Sequence, residues 1–220
     1  MNPVHGGAWV VGYGSLIYKP PPHYSQRVIG VVHGFRRRFW QSSSDHRGTP
    51  ELPGRVATLV PAAGARLLVV AYFIPAAHVA AVTAYLDVRE QDGYLPQTVP
   101  VHLVAPPQPP QELRDALGDL PRDSISGLPV VQSVVYIGIP DAATFVGPEE
   151  VQRTAAVIAH NHGPSGPNYE YLKLLHDALH SIAETFGTRL CELEDHYLDE
   201  LLSAVEHLRA QTCAAVSTRV

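Results

Sequence analysis

The sequence predicts an α+β protein, on three observations. Apolar, branched and aromatic runs of strand length fill the first half. From Pro148 onward the apolar residues recur at helical spacing. No repeat period is present, which leaves one domain over residues 1–220, strands first and helices last.

Ala8-Trp9-Val10-Val11 reads as a buried strand that breaks into Gly12-Tyr13-Gly14-Ser15-Leu16-Ile17-Tyr18. Two glycines one residue apart let the backbone turn sharply and approach another group. A turn of this kind exposes N–H groups that suit a carboxylate or a developing oxyanion. Arg27 to Phe35 and Arg38 to Gln41 alternate as two strands, and Ser42 to Pro53 is a polar loop. Arg55 to Val60 and Leu67 to Ile74 are two more strands, joined by a turn at Ala62-Ala63-Gly64. A helix is expected from Pro75 to Glu90, with proline in its first turn, Val79, Val82 and Leu86 on one face, and Gly93 as a stop. Thr98 to Val104 is a strand, and the four prolines between Ala105 and Pro110 make a loop. A short amphipathic segment follows from Glu112 to Leu120, then a strand from Val130 to Ile139. Pro148-Glu149-Glu150 starts a helix. His162 to Pro167 interrupts it, Asn168 is placed to cap a second helix reaching Phe186, and a third spans Asp195 to Gln211. The tail beyond about residue 208 reads as frayed.

Composition narrows the function classes. Of 220 residues, 45% are hydrophobic and 17% charged, ordinary for a globular protein. A net charge of −5 and a pI near 6.2 argue against a nucleic-acid partner. The run Arg36-Arg37-Arg38 lies between Phe35 and Phe39-Trp40, which suits a strand better than a basic tail. Two cysteines, Cys191 and Cys213, are too few for a disulfide framework. With no signal-peptide pattern and no run long enough to span a bilayer, a soluble cytoplasmic protein is expected. The negative charge and the lack of a heptad seam favour a monomer.

Several chemistries can be weighed from the residues alone. A dinucleotide fingerprint fails because Ile17 stands where its third glycine belongs. A nucleophile elbow around Ser15 fails because Tyr13 and Ile17 occupy the required glycine positions, so Ser15 reads as a turn hydroxyl. Among twelve histidines, His160 and His162 are two apart, and His176 and His180 are four apart on one helical face. The second spacing can bind zinc, but it lacks the glutamate of H-E-x-x-H and has no evident third ligand. Exposed helix histidines are the commoner explanation, and no metal site is assigned. Glu90 falls near a helix C-terminus, where a carboxylate costs ~0.3–1 kcal/mol when exposed. With burial its pKa would rise toward the range a general base needs at neutral pH. The alternative is a solvated acid paired with a nearby arginine.

Several blocks in order resemble the ChaC-type γ-glutamylcyclotransferases, and most closely their fungal glutathione-specific branch. They are Tyr13-Gly14-Ser15-Leu16-Ile17-Tyr18, His33-Gly34-Phe35, Arg38-Phe39-Trp40-Gln41 and Asp45-His46-Arg47-Gly48-Thr49-Pro50. Pro53-Gly54-Arg55-Val56-Ala57-Thr58-Leu59, Val88-Arg89-Glu90 with Gly93-Tyr94, Tyr136-Ile137-Gly138, His162 to Gly166, and Glu170-Tyr171-Leu172 complete the set.

The resemblance implies a mixed, barrel-like sheet with flanking helices. It also implies cleavage of glutathione into 5-oxoproline and cysteinylglycine, with a small-molecule substrate and neither cofactor nor metal. It places the catalytic glutamate at Glu90 and the γ-glutamyl group on Tyr13, Gly14, Ser15 and Leu16, extending through Ile17 to Tyr18. Arg47 and Arg55 are candidates to neutralise a substrate carboxylate, or else structural ion pairs. Tyr171 either lines the pocket or packs a helix on the sheet. Other readings are a cyclotransferase for other γ-glutamyl compounds or glutathione adducts, a noncatalytic γ-glutamyl-binding module, and a zinc hydrolase using His160, His162, His176 or His180.

Overall fold

A computed structural model describes residues 6–90, 93–106, 108–186 and 196–217; the side chains of Cys213 and of residues 215–217 are outside it. Cys191, Gln91, Asp92 and Asp195 lie outside the described residues. Five strands form a closed barrel: β1 (Gly7–Gly12), β2 (Gln26–Ser43), β3 (Gly54–Pro75), β4 (Tyr94–Val104) and β5 (Val130–Gly138). Their order around the barrel is β1-β3-β2-β4-β5. All pairs are antiparallel except β1 with β5, whose parallel pairing at Trp9–Ser133 and Val10–Val134 closes the ring. Closure removes the exposed edges that an open sheet would carry.

The sequence reading split β2 and β3 into four strands, and the structure corrects this. Each is one long, bent strand, paired along almost its whole length. The register slips between His33 and Phe35, where Gly34 adopts φ +80 opposite the segment Pro61 to Arg66. Ala62-Ala63-Gly64 is therefore a bulge, with Gly64 at φ +76, and not a reversal of the chain. The alternation breaks at such bulges, and this made each strand look like two.

Helix α1 (Ala76–Arg89) follows β3 directly and buries Val82 and Leu86 against the barrel. Pro75 is its N-cap, just before the first turn in which the proline was expected. Helix α2 (Gln111–Gly118) seats Leu113 and Leu117. Helices α3 (Val151–His160), α4 (Asn168–Phe186) and α5 (Tyr197–Ser217) pack together beside the barrel. Leu172, Leu175, Leu179, Leu198, Leu201 and Val205 are fully buried there. The expected frayed end is a helix instead: α5 continues nine residues past Leu208, to Ser217. Between α3 and α4, β6 (His162–Gly163) and β7 (Gly166–Pro167) form a minimal hairpin. Asn168 opens α4, but its side chain does not serve the helix. It accepts from Arg55 N–H at 2.7 Å and donates to Arg55 C=O at 2.8 Å, tying α4 to β3.

The basic run sits inside β2. Arg37 is fully buried, and donates to the carbonyls of Tyr13 at 2.7 Å and Leu68 at 2.9 Å. It thus holds up the loop after β1 from beneath. Arg38 stacks its guanidinium 4.5 Å from the Tyr197 ring, joining β2 to α5. No described helix is long and apolar enough to cross a membrane.

Candidate active site

A cavity of about 540 Å³ opens at one mouth of the barrel. The end of β1, the loop after it, the end of β2, the starts of β3 and β4, and the last turn of α1 supply its wall. After Gly12 the chain makes one turn of 3₁₀ helix, Ser15–Ile17, closed by the Ile17 N–H on Gly14 C=O at 3.0 Å. The Ser15 and Leu16 N–H groups head this turn, with no carbonyl within it to meet. Neither glycine here needs a positive φ. A side chain at Gly14 would come 2.9 Å from the Tyr171 hydroxyl, and one at Gly12 2.8 Å from Leu16 Cβ. The glycines therefore permit close approach, here to protein as well as to any ligand.

Glu90 is the C-cap of α1, with its N–H on Leu86 C=O at 2.8 Å. The helix ends there, and the side chain lines the cavity. Burial raises its pKa above the ordinary carboxylate value, and outweighs the opposing pull of Arg89 and His46. Arg89 is the organiser of this wall. Its Nε lies 3.3 Å from Glu90 Oε1, its Nη2 donates to Ser15 Oγ at 2.8 Å, and its Nη1 donates to Tyr85 Oη at 2.9 Å. One guanidinium thus fixes the acid relative to the glycine turn. Arg89 also sits in the last helical turn, where a cation meets the negative end of the dipole.

Beside Tyr85, five more tyrosines line the cavity with the acid. Tyr13 donates to Tyr136 C=O at 2.7 Å, Tyr94 to Ala57 C=O at 2.8 Å, and Tyr136 to Asp87 at 2.6 Å. Tyr171 accepts from Ala57 N–H at 3.3 Å. Burial raises the pKa of all four, with the Glu90 charge adding to it, so they stay protonated. Tyr18 differs. Burial pushes its pKa up to about 12 against the pull of Arg47 and Arg89, and its hydroxyl faces Arg47 without a well-formed hydrogen bond. A hydroxyl so weakly satisfied, in the lining of a cavity, is placed to meet a ligand.

The residues named from sequence divide. Tyr13, Gly14, Ser15, Leu16, Tyr18, Arg47, Glu90 and Tyr171 all line the one cavity. Tyr171 does both things expected of it, since it also packs edge-on against Phe39. Ile17 does not line the cavity; it is 3% exposed and belongs to the core. Arg55 does not line it either. Its Nε and Nη2 donate to the two Glu149 oxygens at 3.0 and 3.1 Å, and its Nη1 to Gly54 C=O at 3.2 Å. Arg55 is the structural ion pair of the two readings. Sequence reasoning missed Arg89 and the wall residues Asp45, His46, Tyr94, Tyr136 and Ser165, although the matching blocks contained all of them. His160, His162, His176 and His180 line no part of the cavity, which disfavours a zinc hydrolase centred on them.

The arrangement can move a proton at neutral pH and hold polar groups on either side of a reacting centre. A closed barrel with one raised carboxyl at its mouth defines an acid–base site for a small polar molecule. The sequence matches the family described as ChaC-like protein over residues 8–208, and the chain belongs to that family. It is 47% identical to the glutathione-specific γ-glutamylcyclotransferase of Saccharomyces cerevisiae, covering 93% of this chain and 98% of that one. It is 34% identical to the enzyme of the same name from Schizosaccharomyces pombe, covering 86% and 91%. A crystal structure of the yeast γ-glutamyl cyclotransferase specific to glutathione superimposes with a TM-score of 0.84, at 45% identity, over 93% of this chain and 97% of that one.

Proposed function

We propose that this protein is a glutathione-specific γ-glutamylcyclotransferase, converting glutathione to 5-oxo-L-proline and L-cysteinylglycine, with the barrel and its helices acting as one domain in the cytoplasm. The observation that carries the mechanism is Glu90, a partly buried carboxyl with a raised pKa at the wall of the cavity that gathers the glycine turn. The substrate follows from the relatives, which bear that name across most of their length.

The reaction is an intramolecular aminolysis. The α-amine attacks the γ-carbonyl carbon, a C–N bond forms, and a five-membered lactam closes. Because the nucleophile is tethered, selecting the folded conformer supplies much of the rate; well-oriented intramolecular reactions reach effective concentrations of ~10⁵ M or more. No serine or cysteine nucleophile is required. Glu90 takes a proton from the attacking amine and returns one to the departing cysteinyl nitrogen as the amide C–N bond breaks. A carboxyl raised above its ordinary value suits both transfers. The Ser15 and Leu16 N–H groups support either the oxyanion or the α-carboxylate, and Arg47 and the Tyr18 hydroxyl are further polar contacts for the substrate. Losing one oxyanion donor costs about 3–4 kcal/mol in other enzymes.

The test is incubation of purified protein with glutathione and, separately, with γ-glutamyl dipeptides, followed by mass spectrometry for 5-oxoproline. Product from glutathione alone is expected. Product only from other γ-glutamyl compounds would keep the mechanism and replace the substrate. No product from folded protein would leave a binding module.

A further inference from the structure

Away from the cavity, α4 and α5 bring together three side chains that the proposed reaction does not use. His176 and His180 share one face of α4, and Asp199 faces them from the first turn of α5. His176 Nε2 lies 3.1 Å and His180 Nε2 2.8 Å from the same oxygen, Asp199 Oδ1. All three donor atoms fall within 4.8 Å of one another. The third ligand that the sequence spacing lacked is supplied by the next helix.

Behind the cluster, His176 Nδ1 lies 3.2 Å from Asp177 Oδ1, and Asp177 lies 2.9 Å from the Lys173 ammonium. A carboxylate against the outer nitrogen of a histidine is the usual support of a metal ligand, and here it leaves His176 Nε2 turned toward His180 and Asp199.

We propose that His176, His180 and Asp199 form a surface site for a divalent transition-metal ion of the zinc class, which clasps α4 to α5. Two imidazoles and one carboxylate are a nitrogen–oxygen donor set suited to zinc and its neighbours. Tetrahedral ligands about 2.0–2.1 Å from zinc are about 3.3 Å apart. The observed 2.8 and 3.1 Å need widen by only a few tenths. His180 and Asp199 are about two-fifths exposed, so that adjustment meets little packing, and solvent reaches the remaining coordination position.

The experiment is calorimetric titration of tag-free, chelator-stripped protein with Zn²⁺, beside Asp199→Asn and His176→Gln/His180→Gln, with melting temperature as a second readout. One ion per chain is expected for the wild type. Affinity should fall about tenfold or more in Asp199→Asn, and the event should vanish in the double variant. Zinc should raise the wild-type melting temperature and not that of the double variant, while 5-oxoproline formation stays unchanged in all three proteins. Identical titrations of wild type and double variant would overturn the proposal and leave a direct hydrogen-bonded helix contact.

Discussion

Arg47 and Arg55 lie eight residues apart, and each is 9% exposed, yet they sit in opposite kinds of surroundings. Arg55 is saturated: both Glu149 oxygens and the Gly54 carbonyl take its donors, Glu149 is further bound by Arg153 and Thr154, and Asn168 holds the Arg55 backbone. Arg47 lines the cavity. It donates to Pro167 C=O at 3.0 Å, stands 3.6 Å from Glu170, and lies 5.8 Å from the centre of the Tyr171 ring. The first arginine is a joint between strand and helix, and the second is part of a wall that faces a ligand. Burial and residue type are the same, so completeness of the partner set separates scaffold from site.

The contrast predicts effects of different kinds. The largest belongs to the acid. Glu90→Gln should lower kcat for 5-oxoproline formation by about 10²–10⁴-fold, measured on protein with an unchanged circular dichroism spectrum. Next comes the saturated joint. Glu149→Ala leaves a buried guanidinium unpaired and should destabilise by about 3–5 kcal/mol in urea denaturation, with kcat/KM of the folded fraction little changed. Arg47→Ala should reverse that pattern, with a KM increase of about tenfold or more and a small change in stability. If Arg47→Ala melts the protein and leaves KM alone, the two arginines are alike and the contrast fails. Tyr18→Phe removes a hydroxyl with no well-formed protein hydrogen bond, so stability should hold or rise while KM increases about threefold to tenfold.

The smallest effect is on pH dependence. Glu90 must be ionised to take a proton, so kcat/KM should fall as pH drops through its raised pKa, with a limb above the ordinary value of 4.5. Stability moves the other way. The folded state binds this proton more tightly than the unfolded state, so the group's contribution is full below pH 4.5 and is lost as pH rises through the folded pKa. The melting temperature of Glu90→Gln relative to wild type should therefore climb as pH rises across that window. A constant difference would show that burial does not perturb Glu90.

Much of this was legible in the residues. Strand and helix periodicities located every barrel strand and four of the five described helices, with α2 read only as a short amphipathic segment. The blocks around Tyr13 and Glu90 pointed to the cavity before any coordinates. What could not be read was pairing across distance. Glu149 is 94 residues from Arg55, and no local pattern reports that contact. The length of β2 and β3 was hidden by bulges, because the strand period is lost where Gly34 and Gly64 turn the chain while the ladder continues. Arg89 was legible only as a nearby arginine that could pair with Glu90; its role depends on Ser15, which barrel closure places beside it. His176 and His180 were visible as a pair, but Asp199 became their neighbour only when α5 folded back on α4.

The central claim is that Glu90 carries the proton transfers while the rest of the cavity binds. Its most direct test compares glutathione turnover and glutathione affinity in wild type and Glu90→Gln. The account predicts that the variant binds glutathione within a few-fold of wild type and releases almost no 5-oxoproline. Substantial 5-oxoproline from a correctly folded Glu90→Gln protein would contradict it and remove Glu90 from the mechanism.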